Sequence, residues 1–182
     1  MKLPSSSVYA FWLAVVRVYT GGFWLMHGIP KFTQSQDFMP PSGMMMSFVN
    51  NAVANTHGPY QNFLTHVVLP NAWLFAELVR LGEVVAGCLL LLGLFTRAGA
   101  AIGILLALNY LSAKGGLTHL SVWSGLDSEA LVLCAISLFL PTGYVLGLDG
   151  LLARLRGKPA PAPAQAVFVD EPPMTGPTAP SA

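Results

Sequence analysis

The sequence predicts an all-α integral membrane protein: a four-helix bundle with short helices in one outer loop and a disordered C-terminal tail. Three observations carry that prediction. Hydrophobic residues make up 54% of the 182-residue chain and charged residues only 9%, against about 25% charged in ordinary globular domains. Mean hydropathy is +0.60. Four segments approach the roughly 20 apolar residues that a bilayer-crossing helix needs. The lipid bilayer is therefore the expected surrounding. A formal net charge of +1 offers no broad basic surface, so no nucleic acid is expected as a partner.

The first helix is predicted over about 8–29, with Arg17 as its only charge. Its apolar stretch is longer than the 7–15 residues typical of a signal peptide, and no A-x-A-like cleavage site follows, so a retained helix is expected. The loop over 30–70 is long for a structureless connection. Met44 to Val53 and Tyr60 to Leu69 are each expected to form a short helix against the bundle, separated by Gly58–Pro59. Three methionines in a row, Met44 to Met46, read as flexible apolar filler rather than a copper site. The second helix is predicted over about 71–95 and holds Glu77, Arg80 and Glu83. The third is predicted over 96–113. The fourth is predicted over 128–148, with Pro141 as a kink. The tail over 157–182 contains seven of the 14 prolines. It lacks apolar periodicity and is expected to be disordered. The domain thus ends near residue 156.

Four crossings put both termini on one side. That side would hold Lys2, Arg97, Arg154, Arg156 and Lys158, against Lys31 and Lys114 opposite. The bias places both termini in the cytoplasm.

Charges inside a spanning helix cost at least about 2.5–3.5 kcal/mol each at the centre, and they face the bundle interior or a cavity. Arg17, Glu77, Arg80 and Glu83 are such charges. At 1.5 Å per residue, Arg17 lies roughly 14 Å and Glu83 roughly 18 Å from the cytoplasmic ends of their helices. An Arg17–Glu83 pair is thus within reach. Glu77 and Arg80, three apart, can pair along one face. Arg17, Gly21, Trp24, Gly28 and Lys31 form a stripe on the first helix. Its glycines predict close packing of the first two helices. One reading is that the charges line a site for a polar headgroup, a quinone or a proton. The other is that they only set helix register and orientation.

All four histidines, His27, His57, His66 and His119, fall on the outer side. None shows the spacing of a ligand motif, so no metal is expected. Disulfide scaffolds and structural zinc are excluded by the absence of CxxC or Cys/His spacing around Cys88 and Cys134. Phosphate-loop, dinucleotide, serine-hydrolase and zincin motifs are absent.

The first helix reads Arg17-x-x-x-Gly21-Gly22, then Gly28-x-x-Lys31. The second reads Gly82-Glu83-x-x-x-Gly87, then Gly93-x-x-Thr96-Arg97. The end of the fourth reads Gly143-x-x-x-Gly147-Leu148-Asp149. Together these resemble the DoxX/DoxD-like family of small four-helix bacterial and archaeal membrane proteins, over roughly residues 10 to 153. The resemblance implies a plasma-membrane location and suggests quinone-linked redox chemistry. It carries no ligand set residue by residue. The expected role is a subunit or accessory of a quinone-linked membrane redox system, with a protein partner in that complex or a second copy of the chain. Arg17 and Glu83 would then line a quinone or proton site, with Glu77 and Arg80 in their network and His27 and Lys31 near its outer mouth. Quinone is the one cofactor the reading raises. A non-catalytic scaffold is the alternative, and a small transporter or proton pathway the third. The sequence leaves open whether the chain is itself an enzyme.

Overall fold

The computed structural model describes residues 6–116 and 119–157. Four long helices form its body. Helix α1 spans Ser6–Gly28 and runs into two single-turn helices, α2 (Pro30–Thr33) and α3 (Ser35–Phe38). Helix α4 (Met44–Asn55) and helix α5 (Pro59–Phe63) follow, the latter continued by one π turn over Leu64–Val68. Then come α6 (Ala72–Leu92), α7 (Thr96–Ala113), α8 (Leu126–Phe139) and a short α9 (Leu148–Leu155). Among the described residues there is no strand.

Helix α1 packs chiefly on α6, and α7 packs on both α6 and α8. The α1–α6 seam is made by glycine. A Cβ on Gly21 would meet the Leu91 backbone at 2.5 Å, and one on Gly28 would meet the Glu83 Cβ at 2.9 Å. Gly87 answers from α6, lying against Leu25. The stripe predicted on the first helix is therefore its packing face. Trp24, on the same stripe, is buried and donates to Cys134 Sγ at 3.2 Å, tying α1 to α8. An apolar core, built on Phe38, Met45, Val49, Leu64, Val68, Ala76 and Val79, fastens α3, α4 and the π turn to α6.

Two stretches, Val8–Thr33 and Thr96–Ala113, are long and apolar enough to cross a membrane. Helix α6 is long enough but carries Glu77, Arg80 and Glu83. Helix α8 has only 14 residues. The fourth helix thus stops short of its predicted end at 148. Pro141 disfavours helix at Leu140, which is extended at φ −97°, ψ 150°. The chain turns instead through Thr142–Tyr144 and restarts as α9. The second helix ends at Leu92 rather than 95, because Gly93 takes a left-handed φ of +64°. The outward faces of the bundle are apolar: Tyr19, Met26 and Leu105 are 63%, 76% and 68% exposed. The tail beyond residue 157, with its expected disorder, lies outside the described residues.

Candidate functional site

The predicted Arg17–Glu83 pair does not form. The glycine seam sets the register of α1 on α6, and it places Glu83 beside Gly28 rather than near Arg17. The eleven-residue step from Arg17 to Gly28 separates the two charges by about 16 Å along the axis. Apolar boundaries had suggested similar depths. Backbone contact at glycine, not the end of the apolar run, decides the alignment.

Glu83 is 1% exposed and is paired with Lys31. Lys31 Nζ donates to Glu83 Oε1 at 2.5 Å and to Oε2 at 2.6 Å. Tyr110 Oη, from α7, donates to Oε1 at 2.5 Å. Lys31 Nζ also lies 3.3 Å from Tyr110 Oη and 5.2 Å from the centre of the Phe38 ring. Pro30 starts α2 at the end of α1, and this short helix presents Lys31 to α6. The α1 stripe continues into α2, so Lys31 reaches the face where Glu83 sits. A cation and a hydroxyl thus satisfy a carboxylate that would be costly to bury unpaired.

Two cavities meet at this cluster. One, of about 390 Å³, is lined by His27, Lys31, Glu83, Tyr110, Lys114 and Asp127 together with Phe38, Met44, Met45, Phe48 and Val79. Lys114 and Asp127 pair at 2.5 Å on its rim. The other, of about 550 Å³, lies between the outer-loop helices and α6 and α7. Its walls are almost wholly apolar, with Phe48, Phe63 and Phe75 among them. Met45, Phe48, Val79 and Tyr110 line both cavities. The methionine run thus supplies cavity wall. On the apolar side, Tyr60 Oη donates to Asn109 Oδ1 at 2.9 Å, and burial pushes the Tyr60 phenol up to about 12.

Of the other candidates, only His27 shares a cavity with this cluster. Glu77 and Arg80 pair with each other along α6, as their spacing predicted, and Arg80 covers the Phe32 ring at 4.5 Å. They do not join Glu83. His27 is exposed at the cavity rim, and its Nδ1 lies 2.8 Å from the Phe23 carbonyl. Among the described residues no three His, Cys, Asp or Glu side chains gather as a metal site.

Arg17 is fully buried at the opposite end of the bundle. Its guanidinium donates to the carbonyls of Leu90 at 3.2 Å and Leu146 at 3.0 Å. Nearby, Asp149 accepts from the Phe95 and Thr96 backbone at 2.8 Å and 3.0 Å and from the Thr96 hydroxyl at 2.8 Å. Asp149 thereby caps α7 from 53 residues away. Gly93, Gly143 and Gly147 allow the approach: a Cβ on Gly93 would strike Arg17, and one on Gly143 would strike Thr96. The first-helix arginine and the two glycine-bearing motifs therefore converge on one structural joint.

Sequence reasoning missed Tyr110 as a site residue. The available signal was acceptor capacity: a buried carboxylate takes more hydrogen bonds than one lysine supplies.

A model of the DoxX family matches residues 12–111, a span that holds the glycine seam, Lys31, Glu83 and Tyr110. No curated protein and no solved structure matches the chain.

Proposed function

The chain belongs to the DoxX family of membrane proteins, and on that premise we propose that it is a subunit or accessory of a quinone-linked redox system. The observation that carries this reading is the position of Glu83. A buried carboxylate, bonded to a lysine and a phenol, lines one cavity, and the phenol that holds it also lines the larger apolar cavity beside it.

The residues present fit a quinone. A cavity of about 550 Å³ falls within the 300–1,000 Å³ of ordinary ligand sites. Phe48, Phe63 and Phe75 offer ring faces for a flat apolar head. Tyr110 brings its hydroxyl, donated to Glu83 in this structure, to the polar end of that cavity, and Lys31 stands behind it. Asn109, whose side-chain oxygen holds Tyr60, keeps its amide N–H₂ outside that bond. A bound quinone would supply two-electron, two-proton redox chemistry, its electrons coming from a partner protein of the system. The chain's own residues handle the protons. Glu83 holds or releases one at its Oε1, Tyr110 relays one through its hydroxyl, and Lys31 stabilises the carboxylate when it is charged. The 390 Å³ cavity leads from this cluster to the rim formed by Lys114 and Asp127.

In this reading all four long helices cross the plasma membrane of a bacterium or archaeon, with both termini in the cytoplasm. The charges of α6 are paired, Glu83 with Lys31 in a cavity and Glu77 with Arg80 along the helix, and pairing is how charged spanning helices are tolerated. The short α8 is extended by the Thr142–Tyr144 turn.

The test is mass spectrometry of small molecules that copurify with the protein in mild detergent. A stoichiometric quinone in wild type, lost in Glu83→Gln or Tyr110→Phe, is the expected result. Wild-type protein without quinone, or equal retention by both variants, would sink the proposal. The scaffold reading draws on one observation, that Lys31 and Tyr110 already satisfy Glu83 within the chain. It expects Glu83→Gln to lower the abundance of a partner complex while turnover per surviving complex stays unchanged.

A further inference from the structure

At the end of the bundle remote from Glu83, two bulky residues are held in left-handed backbone conformations. Phe95 has φ +46° and Leu146 has φ +50°, and among the described residues they are the non-glycine positions with positive φ. Such conformations persist only where surrounding contacts enforce them. Here the enforcing contacts are the buried joint: the Asp149 carboxylate holds the Phe95 N–H, and Arg17 holds the Leu146 carbonyl. The outcome is that both apolar side chains face outward, 65% and 78% exposed.

Beside Leu146 runs a groove of about 520 Å³, lined by Leu91, Leu92, Tyr144, Leu148 and Leu151 and reaching Arg154. Helix α9 is amphipathic: Leu148, Leu151 and Leu155 are exposed at helical spacing. Arg154 and Arg156, at its end, are exposed, and neither side chain makes an ion pair or hydrogen bond among the described residues. The one carboxylate of α9, Asp149, is consumed by the α7 cap. An apolar groove therefore ends on uncompensated positive charge, at the edge of the bundle's apolar outer face.

We propose that this groove is a binding site for an anionic phospholipid. One acyl chain lies along Leu91, Leu92 and Leu151. The phosphate sits on Arg154 and Arg156. Phe95 and Leu146 seat the joint at the headgroup boundary. The charge selects an anionic head over a zwitterionic one. The groove selects a lipid over a free anion. The site is independent of the quinone proposal, because it shares no residue with the Glu83 cluster.

The experiment is native mass spectrometry of the full chain in detergent, titrated with phosphatidylglycerol and with phosphatidylcholine. Wild type should prefer phosphatidylglycerol by about tenfold or more, the effect of two arginines facing an anionic head. Arg154→Gln with Arg156→Gln should abolish the preference. The Arg154→Lys, Arg156→Lys form, which keeps the charge, should retain most of it. Leu151→Ser should weaken both lipids. Glycerol phosphate at matched concentration should not displace the bound lipid. Equal retention of the two lipids by wild type would overturn the proposal without recourse to any variant. An undiminished preference in the double glutamine variant, or displacement by glycerol phosphate, would overturn it as well.

Discussion

Among the described residues, Lys31 and Glu83 form the one ion pair in which a carboxylate is almost wholly buried, and its energetics are asymmetric. Removing one partner leaves a charge in a low-dielectric interior, at a cost of about 3–5 kcal/mol. Glu83→Gln or Lys31→Met should each lower the melting temperature in detergent. The double variant should recover part of the loss, because it removes both charges together. Singles that melt like wild type would mean that water reaches the pair. Tyr110→Phe leaves the ion pair in place but removes a hydrogen bond to a charged group, and should cost about 1.5–3 kcal/mol. Tyr60 gives a pH signature. Its phenol is raised from 10.0 to about 12 in the fold, so folding favours the protonated form. That contribution is whole below pH 10 and is lost as pH climbs through 12. The outer-loop helices should therefore loosen over that interval, and Tyr60→Phe should remove the Tyr60 share of the transition. Hydrogen exchange in α4 and α5 would follow it.

At the scale of elements, the α1–α6 seam supplies a matched pair of substitutions. Gly21→Ala would drive a methyl to 2.5 Å from the Leu91 nitrogen, whereas Gly22→Ala meets nothing within 4 Å. The first should destabilise by about 1–3 kcal/mol through forced separation of the helices. The second should be neutral or stabilising by about 1 kcal/mol, since alanine is the better helix former. Thermal unfolding of the two proteins side by side decides it. The α7 cap is a second element-scale device. Asp149→Ala removes three acceptor contacts at the helix start and should cost about 1–2 kcal/mol. Helix boundaries were largely legible in the sequence, with the third matching at 96–113. The fourth was not, because Pro141 was read as a kink in a continuing helix. The chain leaves the helix at Leu140 instead, and the Thr142–Tyr144 turn brings Asp149 back to α7.

Across the whole molecule, the Glu83 cluster and the Arg17 joint lie at opposite ends, and the proposed crossing gives those ends different compartments. In a variant lacking Cys88 and Cys134, a cysteine at exposed Asn51 should react with an impermeant thiol reagent in intact cells. A cysteine at Arg156 should react only after the membrane is opened. The reverse pattern would invert the topology, and labelling of both in intact cells would remove the crossing altogether. The candidate site was legible in part at this scale. Glu83 and Lys31 were both singled out, one lining the site and the other near its mouth, but not as a pair, because nothing local in the chain joins residues 52 positions apart.

The sequence by itself determined the class and the materials of this protein. Its low charge and long apolar runs exclude an ordinary soluble surface, its glycine spacing specifies the face that α1 offers, and its motifs mark the family. These are properties of composition and period, which a chain carries before it folds. Only the tertiary structure decided which charge meets which. The close approach of Gly21, Gly28 and Gly87 sets the helix register, and a shift of two helical turns exchanges every partner of a buried ion. That register gave Glu83 to Lys31 and Tyr110, and left Arg17 to hold backbone carbonyls.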